Sequence, residues 1–266
     1  MGSTHRRTHV GLARLAGFTV IELIVVVAVT ALLLSMLVPS LASVRAAGRS
    51  AACLANLRQM AIAAQRYALE YKYFPPAIRF DLDGGVVNLA WDWVTTWDGR
   101  LLSPGPLWSF TDDPGRVQQC PVYHGPTNFD GDPHTGYNYN TTYVGGEGPF
   151  MSWGWDDFRP GVRYGACRWT SRVAVFGDGG VVGGVANKFM RAPMNEVEQT
   201  GLGVIYGGGQ AFRHVRATNV AYLDLHVAPA AAPHRGARAD DALIELLDYP
   251  ENGFLSDDDT AYDPNP

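Results

Sequence analysis

The side chains of this chain that could do chemistry fall into a few groups. Glu22 is the only charge in Phe18–Val44, FTVIELIVVVAVTALLLSMLVPSLASV. An acid in so apolar a run is costly inside a bilayer and marks a functional candidate. His214 and Asp224 are separated by nine residues, and with a serine or threonine they would compose a catalytic triad. Spacing alone aims neither side chain, and no Gly-x-Ser-x-Gly elbow or His-Glu-x-x-His pair accompanies them. The plainer expectation is a salt bridge or hydrogen bond between adjacent strands, and no enzyme. Cys53, Cys120 and Cys167 fit no zinc spacing, because no two lie close together in the chain. Asp130-Gly-Asp132 and Asp257-Asp-Asp259 are oxygen-rich segments of the kind calcium prefers, but neither matches the twelve-residue EF-hand loop. They read as solvated acidic turns, with calcium the only cofactor left in view. Gly177-Asp-Gly-Gly180 and Gly207-Gly-Gly209 resemble phosphate loops in composition only, because neither precedes a helical pattern; both read as turns.

Composition narrows the classes. Apolar residues make up 47% and charged ones 18%, which describes a folding chain rather than a disordered one. The net charge of −5 comes with no basic stripe to neutralise phosphates, so no nucleic acid is expected as a partner. Most of the 30 glycines and 17 prolines lie beyond residue 74, as in a loop-rich sheet domain. Of the seven tryptophans, four lie between Trp91 and Trp108. They suit a core with a polar edge better than a ligand platform.

The elements that must position these groups begin with a basic leader, residues 1–17, with three arginines and no acid. Residues 18–44 are long enough to span a bilayer as a helix, since roughly 20 apolar residues suffice. The arginines before them place the N-terminus in the cytoplasm, although Arg45 and Arg49 weaken that bias. Residues 45–74 become amphipathic. Cys53, Leu54, Leu57, Met60, Ala61, Ala64, Tyr67, Ala68 and Tyr71 form one stripe at three- and four-residue spacing. Phe74-Pro75-Pro76 ends the helix. Residues 75–247 read as a β-rich domain. Strands are expected near Gly85–Ala90, Arg116–Gln119, Gly136–Val144, Arg172–Phe176, Gly203–Tyr206 and Thr218–Val227, and a short capped helix at Asp240–Leu247. Residues 248–266 read as an acidic, flexible tail.

Two ordinary explanations of the N-terminus, a secretory signal cut near Leu41-Ala42-Ser43 and an uncleaved anchor, leave Glu22 unexplained. Gly17-Phe18-Thr19-Val20-Ile21-Glu22-Leu23 resembles the processing site of type IV prepilins: a basic leader ending in Gly, an aromatic next residue, and Glu fifth after the cut. Pro39, twenty-second from Phe18, matches the proline of that family's helix. The resemblance implies cleavage between Gly17 and Phe18 by prepilin peptidase, N-methylation of Phe18, and assembly through Phe18, Glu22 and Pro39. Glu22 would pair with a neighbouring subunit's Phe18 amine, which relieves the desolvation of both charges. The implied fold is α+β and lollipop-shaped, a long N-terminal helix packed on an antiparallel sheet. The implied partners are the peptidase, other pilin-like subunits and an inner-membrane assembly platform. The protein would cross the inner membrane once, with a periplasmic C-terminal domain, and then join a periplasmic or extracellular fibre.

A narrower resemblance covers much of the remaining chain. Cys53-Leu-Ala-Asn-Leu-Arg-Gln59, Tyr67, Phe74-Pro75, Cys120-Pro121, Tyr137-Asn-Tyr-Asn140 and Phe212-Arg-His214, with Asp224 beyond, look like prepilin-type proteins with a C-terminal "His, nine residues, Asp-Gly" signature. Leu225 stands where that signature has glycine. The shared motifs hold Cys53 and Cys120 but not Cys167, which implies a Cys53–Cys120 disulfide if the domain is exported. Two functions follow: a pseudopilin or minor pilin of a type II secretion or pilus-like fibre, or a tethered exported binding protein that borrows the pilin N-terminus.

Overall fold

Helix α1 runs from Val20 to Tyr71 in the computed structural model, which describes residues 17–81, 87–96, 98–111, 114–127, 132, 136–146, 160–194 and 207–265. The leader up to residue 16, Asp130 and the strand expected at Gly203–Tyr206 lie outside the described residues. The chain divides into two units, Met1–Arg45 and Ala46–Pro266, and α1 contributes to both.

In the first unit the helix, Glu22 apart, is uncharged and predominantly apolar on every face, and it is exposed from Val20 to Leu41. It is long and apolar enough to cross a membrane by length and composition. Pro39 lies inside it, and the helix continues through that position. Proline has no N–H, so the Ser35 carbonyl one turn earlier forgoes its helical bond.

In the second unit the same helix buries Cys53, Leu57, Met60, Ala61, Ala63, Ala64 and Ala68. Four of these seven are alanines, and all belong to the core shared with the sheet domain. Of the expected stripe, Leu54 and Tyr67 are half-buried and Tyr71 is exposed, its ring packed on Tyr67 at 4.5 Å between centroids. Lys72 turns the chain out of the helix with a φ of 71°, a left-handed C-terminal conformation. Phe74 N–H then donates to the Val162 carbonyl, so the proline pair stops the helix where expected.

Strands β1 (Ile78–Asp81), β2 (Val87–Ala90), β3 (Trp93–Thr96) and β4 (Leu101–Pro104) form a four-stranded antiparallel meander. The larger, mixed sheet has the order β10-β9-β6-β5-β7. It comprises β5 (Tyr137–Asn140), β6 (Ala174–Gly180), β7 (Phe189–Met190), β9 (Thr218–Tyr222) and β10 (Val227–Ala230), with β5 and β7 parallel. Beside β6 lie β8 (Gly209–Ala211) and, beyond it, β11 (Asn252–Gly253). Helix α2 covers Pro114–Gln118, and α3 covers Asp241–Leu247 with Asp240 capping it through the Leu243 N–H. The fold class is α+β, as expected.

One strand organises the core. The pairing of β6 with β9 shifts register between Ala174 and Phe176. That irregularity lets Val175 and Phe176 both join the core that includes the α1 stripe. Ala174 faces the second core, with Val220, Leu247, Phe254 and Tyr262. From Phe176 the two-residue alternation brings Asp178 to the α1 side as well.

Four expectations are corrected. Arg116–Gln119 is not a strand: α2 ends at Gln118, and so short a segment carries too little periodicity to separate the two states. The expected strand Thr218–Val227 is a hairpin, β9 and β10, turning at residues 223–226. Gly177–Gly180 is no turn but the buried end of β6. Its glycines are there for close approach: a Cβ on Gly177 would sit 2.1 Å from Gln210 Oε1, and one on Gly179 2.0 Å from the Asn187 carbonyl. The tail is not frayed either. Phe254 and Tyr262 are fully buried, Asn140 Nδ2 donates to the Tyr262 carbonyl, and Arg168 N–H donates to the Pro264 carbonyl.

Candidate functional site

The start of α1 is closed by its own side chains. Thr19 accepts the first helical bond, from Leu23 N–H at 3.2 Å, and so occupies the N-cap. Glu22 N–H donates to Thr19 Oγ1 at 3.2 Å, while Thr19 N–H donates back to Glu22 Oε2 at 2.8 Å. This reciprocal pair is a capping box, a role for Glu22 that the sequence analysis missed although Thr-x-x-Glu spells it. Gly17 precedes it, and Phe18 is 81% exposed.

A second group of side chains meets inside the domain. Cys53 comes from the buried face of α1, Cys120 from the turn after α2, Asp178 from β6, and His214 from the β8–β9 connection. Their ligand atoms all lie within 4.8 Å of one another, and all four residues are buried. Each is held there for a local reason. Gly136 leaves room for Cys120, since a Cβ at Gly136 would sit 2.4 Å from the Cys120 Cβ. His214 opens a tight turn: its N–H and carbonyl exchange bonds with Ala217, while Val215 and Arg216 both take positive φ. Asp178 arrives through the β6 alternation described above.

The contacts within the group are close. Cys53 Sγ lies 3.4 Å and Cys120 Sγ 3.7 Å from Asp178 Oδ1, and Cys120 Sγ lies 3.7 Å from His214 Nε2. His214 Nε2 is 3.3 Å from Asp178 Oδ2, which also accepts the Asn219 N–H at 2.8 Å. The hydrogen bond from Cys53 brings the Cys120 thiol down to about 6 against burial, with His214 helping. Burial pushes the Cys53 thiol up. Burial also opposes charge on His214, but its bonds to Asp178 and Cys120 outweigh that and raise it to about 9.

Cys53 and Cys120 are therefore neighbours, as the expected disulfide requires, but both are free thiols, as is half-buried Cys167. His214 and Asp224 are not partners. His214 meets Asp178, whereas Asp224, in the β9–β10 turn, meets His226 Nδ1 at 2.5 Å and accepts the His226 N–H. Sequence reasoning missed Asp178 because it sits in a glycine run read as a turn.

Among the described residues, the acidic segments do not converge. Asp132 lies 2.7 Å from the buried Lys188 ammonium, which also meets Asp92 at 2.9 Å. Burial lifts the Asp132 carboxyl to about 7, against the pull of Lys188. Asp257 meets His234, Asp258 caps the turn of helix at Asp259–Ala261, and Asp259 accepts the Met194 N–H and the Tyr143 hydroxyl. Trp91, Trp93 and Trp108 are core residues.

Residues 42–102 match the family model SBP_bac_10, described as "Protein of unknown function (DUF1559)". That stretch covers the second half of α1 and the four-stranded meander as far as the first residues of β4. No curated protein and no solved structure matches the chain.

Proposed function

We propose that the chain is the precursor of a pilin-like fibre subunit, cut between Gly17 and Phe18 by a prepilin-type peptidase. One observation carries the reading: a Gly-Phe junction with Glu22 at its fixed distance, heading an apolar helix whose first half is exposed on every side. Such a surface needs lipid or like helices around it. The same helix continues as the spine of the sheet domain, so packing N-terminal helices together would carry that domain into the fibre. The DUF1559 match over residues 42–102 supports an exported, anchored architecture without naming its role.

On this reading the protein first crosses the inner membrane once, with the sheet domain outside the cytoplasm. It then leaves the bilayer by packing against other subunits at an assembly platform. Its role is structural rather than catalytic, in keeping with a cysteine–histidine group sealed from solvent.

Mass spectrometry of the protein from membranes tests the first step. The mature chain is expected to begin at Phe18 with a methylated amine, and Gly17→Leu to accumulate uncut precursor. A chain beginning at Met1, or near Ser43, overturns the reading.

A further inference from the structure

From the convergence of Cys53, Cys120, Asp178 and His214 we infer a structural zinc site that pins α1 to the sheet domain. Two sulfurs, one nitrogen and one oxygen from four separate segments gather with ligand atoms within 4.8 Å of one another. The measured separations are 3.4 and 3.7 Å from Asp178 Oδ1 to the two sulfurs, and 3.7 Å from Cys120 Sγ to His214 Nε2. A tetrahedral zinc with Zn–S about 2.3 Å and Zn–N or Zn–O about 2.0–2.2 Å holds its ligands about 3.4–3.8 Å apart. Three of the six separations thus match the edges of such a coordination sphere, and all six stay within 4.8 Å, so a small inward shift of the side chains completes it.

Donor chemistry selects the ion. Thiolates with an imidazole suit zinc, whereas calcium and magnesium want oxygen. Four protein ligands close the tetrahedron and leave no open position for water, which makes the site structural rather than catalytic. On binding, any protons on the two sulfurs and on His214 Nε2 pass to solvent, so that two thiolates, a neutral imidazole nitrogen and a carboxylate oxygen each offer a lone pair to the metal. The surroundings are already oriented for this. The Asn219 N–H holds Asp178 Oδ2 and leaves Oδ1 to the ion, and the Tyr137 hydroxyl lies against Cys53 and takes a bond from Asn56 Nδ2 at 3.3 Å. The site also accounts for a buried carboxylate and two thiols at one point, where an apolar core would serve stability alone.

The test uses the full chain, purified in detergent without chelator or reductant, with zinc and cobalt as probes. One zinc per chain is expected by elemental analysis. Replacement by Co²⁺ should give sulfur-to-cobalt charge-transfer absorption and the strong visible bands of a tetrahedral site. Cys53→Ser and His214→Gln should each weaken zinc binding by about 100-fold, at least the upper end of the loss from an outer-shell partner. Cys167→Ser should leave it unchanged. If these variants fold poorly, the wild-type cobalt spectrum decides by itself. A Cys53–Cys120 disulfide in the isolated protein overturns the inference, and so do free thiols that give no cobalt charge-transfer band. Neither result touches the N-terminal processing, which rests on different residues.

Discussion

Glu22 carries two roles that a pair of substitutions separates. Within the chain, its carboxylate closes the capping box with Thr19. In a fibre, its charge would offset the Phe18 amine of a neighbour. Gln preserves the cap, since it accepts the same N–H, but removes the charge. Glu22→Gln is therefore expected to insert and be processed like the wild type yet be as poor as Glu22→Ala at joining fibres, measured by sheared-fibre yield against membrane-retained protein. Normal incorporation of the Gln variant alone would reduce Glu22 to a cap. Normal incorporation of both would favour a tethered binding protein. At this scale the sequence showed which residues are unusual better than what they touch. Glu22, Cys53, Cys120 and His214 stand out by type or motif. Of their partners, Thr19 was legible in Thr-x-x-Glu but overlooked, whereas Asp178 was hidden, because its contact depends on strand alternation and on a register shift that no spacing announces.

The β9–β10 hairpin is the element most at odds with its own sequence. Tyr222 and His226 close it, with Leu225 N–H bonded to the Tyr222 carbonyl, and Leu225 takes a φ of 71° where the resembled signature has glycine. A branched side chain in the left-handed region costs about 1–2 kcal/mol. The Leu225 side chain partly offsets that by packing against the α1-side core. Leu225→Ala removes the packing and keeps the strain, whereas Leu225→Gly removes both. The glycine variant is thus expected to be the more stable of the two by about 1 kcal/mol, read as a higher melting temperature or denaturant midpoint. An alanine variant at least as stable as the glycine one would show that the turn is not strained. The hairpin also explains why Thr218–Val227 read as one strand, since Leu225 hides a turn that glycine would have announced. Long periodic elements were readable, from the α1 stripe and its proline stop to the Asp240-capped α3. Gly177–Gly180 was not, because glycine signals a turn and a crowded strand equally well.

At the scale of the molecule, the last residues decide whether the sheet domain closes. Their composition reads as a solvated tail, acidic with Pro and Asn, yet it contains two aromatics that belong to the second core. Phe254 and Tyr262 are fully buried with Leu243, Leu247, Met190 and Val220. β11 pairs with β8 next to β6, and the His234 and Phe254 backbones exchange hydrogen bonds at 2.9 Å. The polar residues between the aromatics serve this closure: Asp258 caps the turn of helix that ends at Ala261, and Leu255 N–H donates to the Tyr262 hydroxyl. Losing one such buried aromatic typically costs about 3–5 kcal/mol. Losing both approaches the whole stability of an ordinary domain, about 5–15 kcal/mol. Deletion of residues 254–266 is therefore expected to leave the sheet domain unfolded, with no cooperative thermal transition and rapid proteolysis beyond residue 72. The first unit should still insert, because its apolar helix does not depend on that core. Tyr262→Ala provides the graded version, with a lower melting temperature but a folded domain. A truncated chain that melts like the full one would return the tail to the flexible segment its composition suggests.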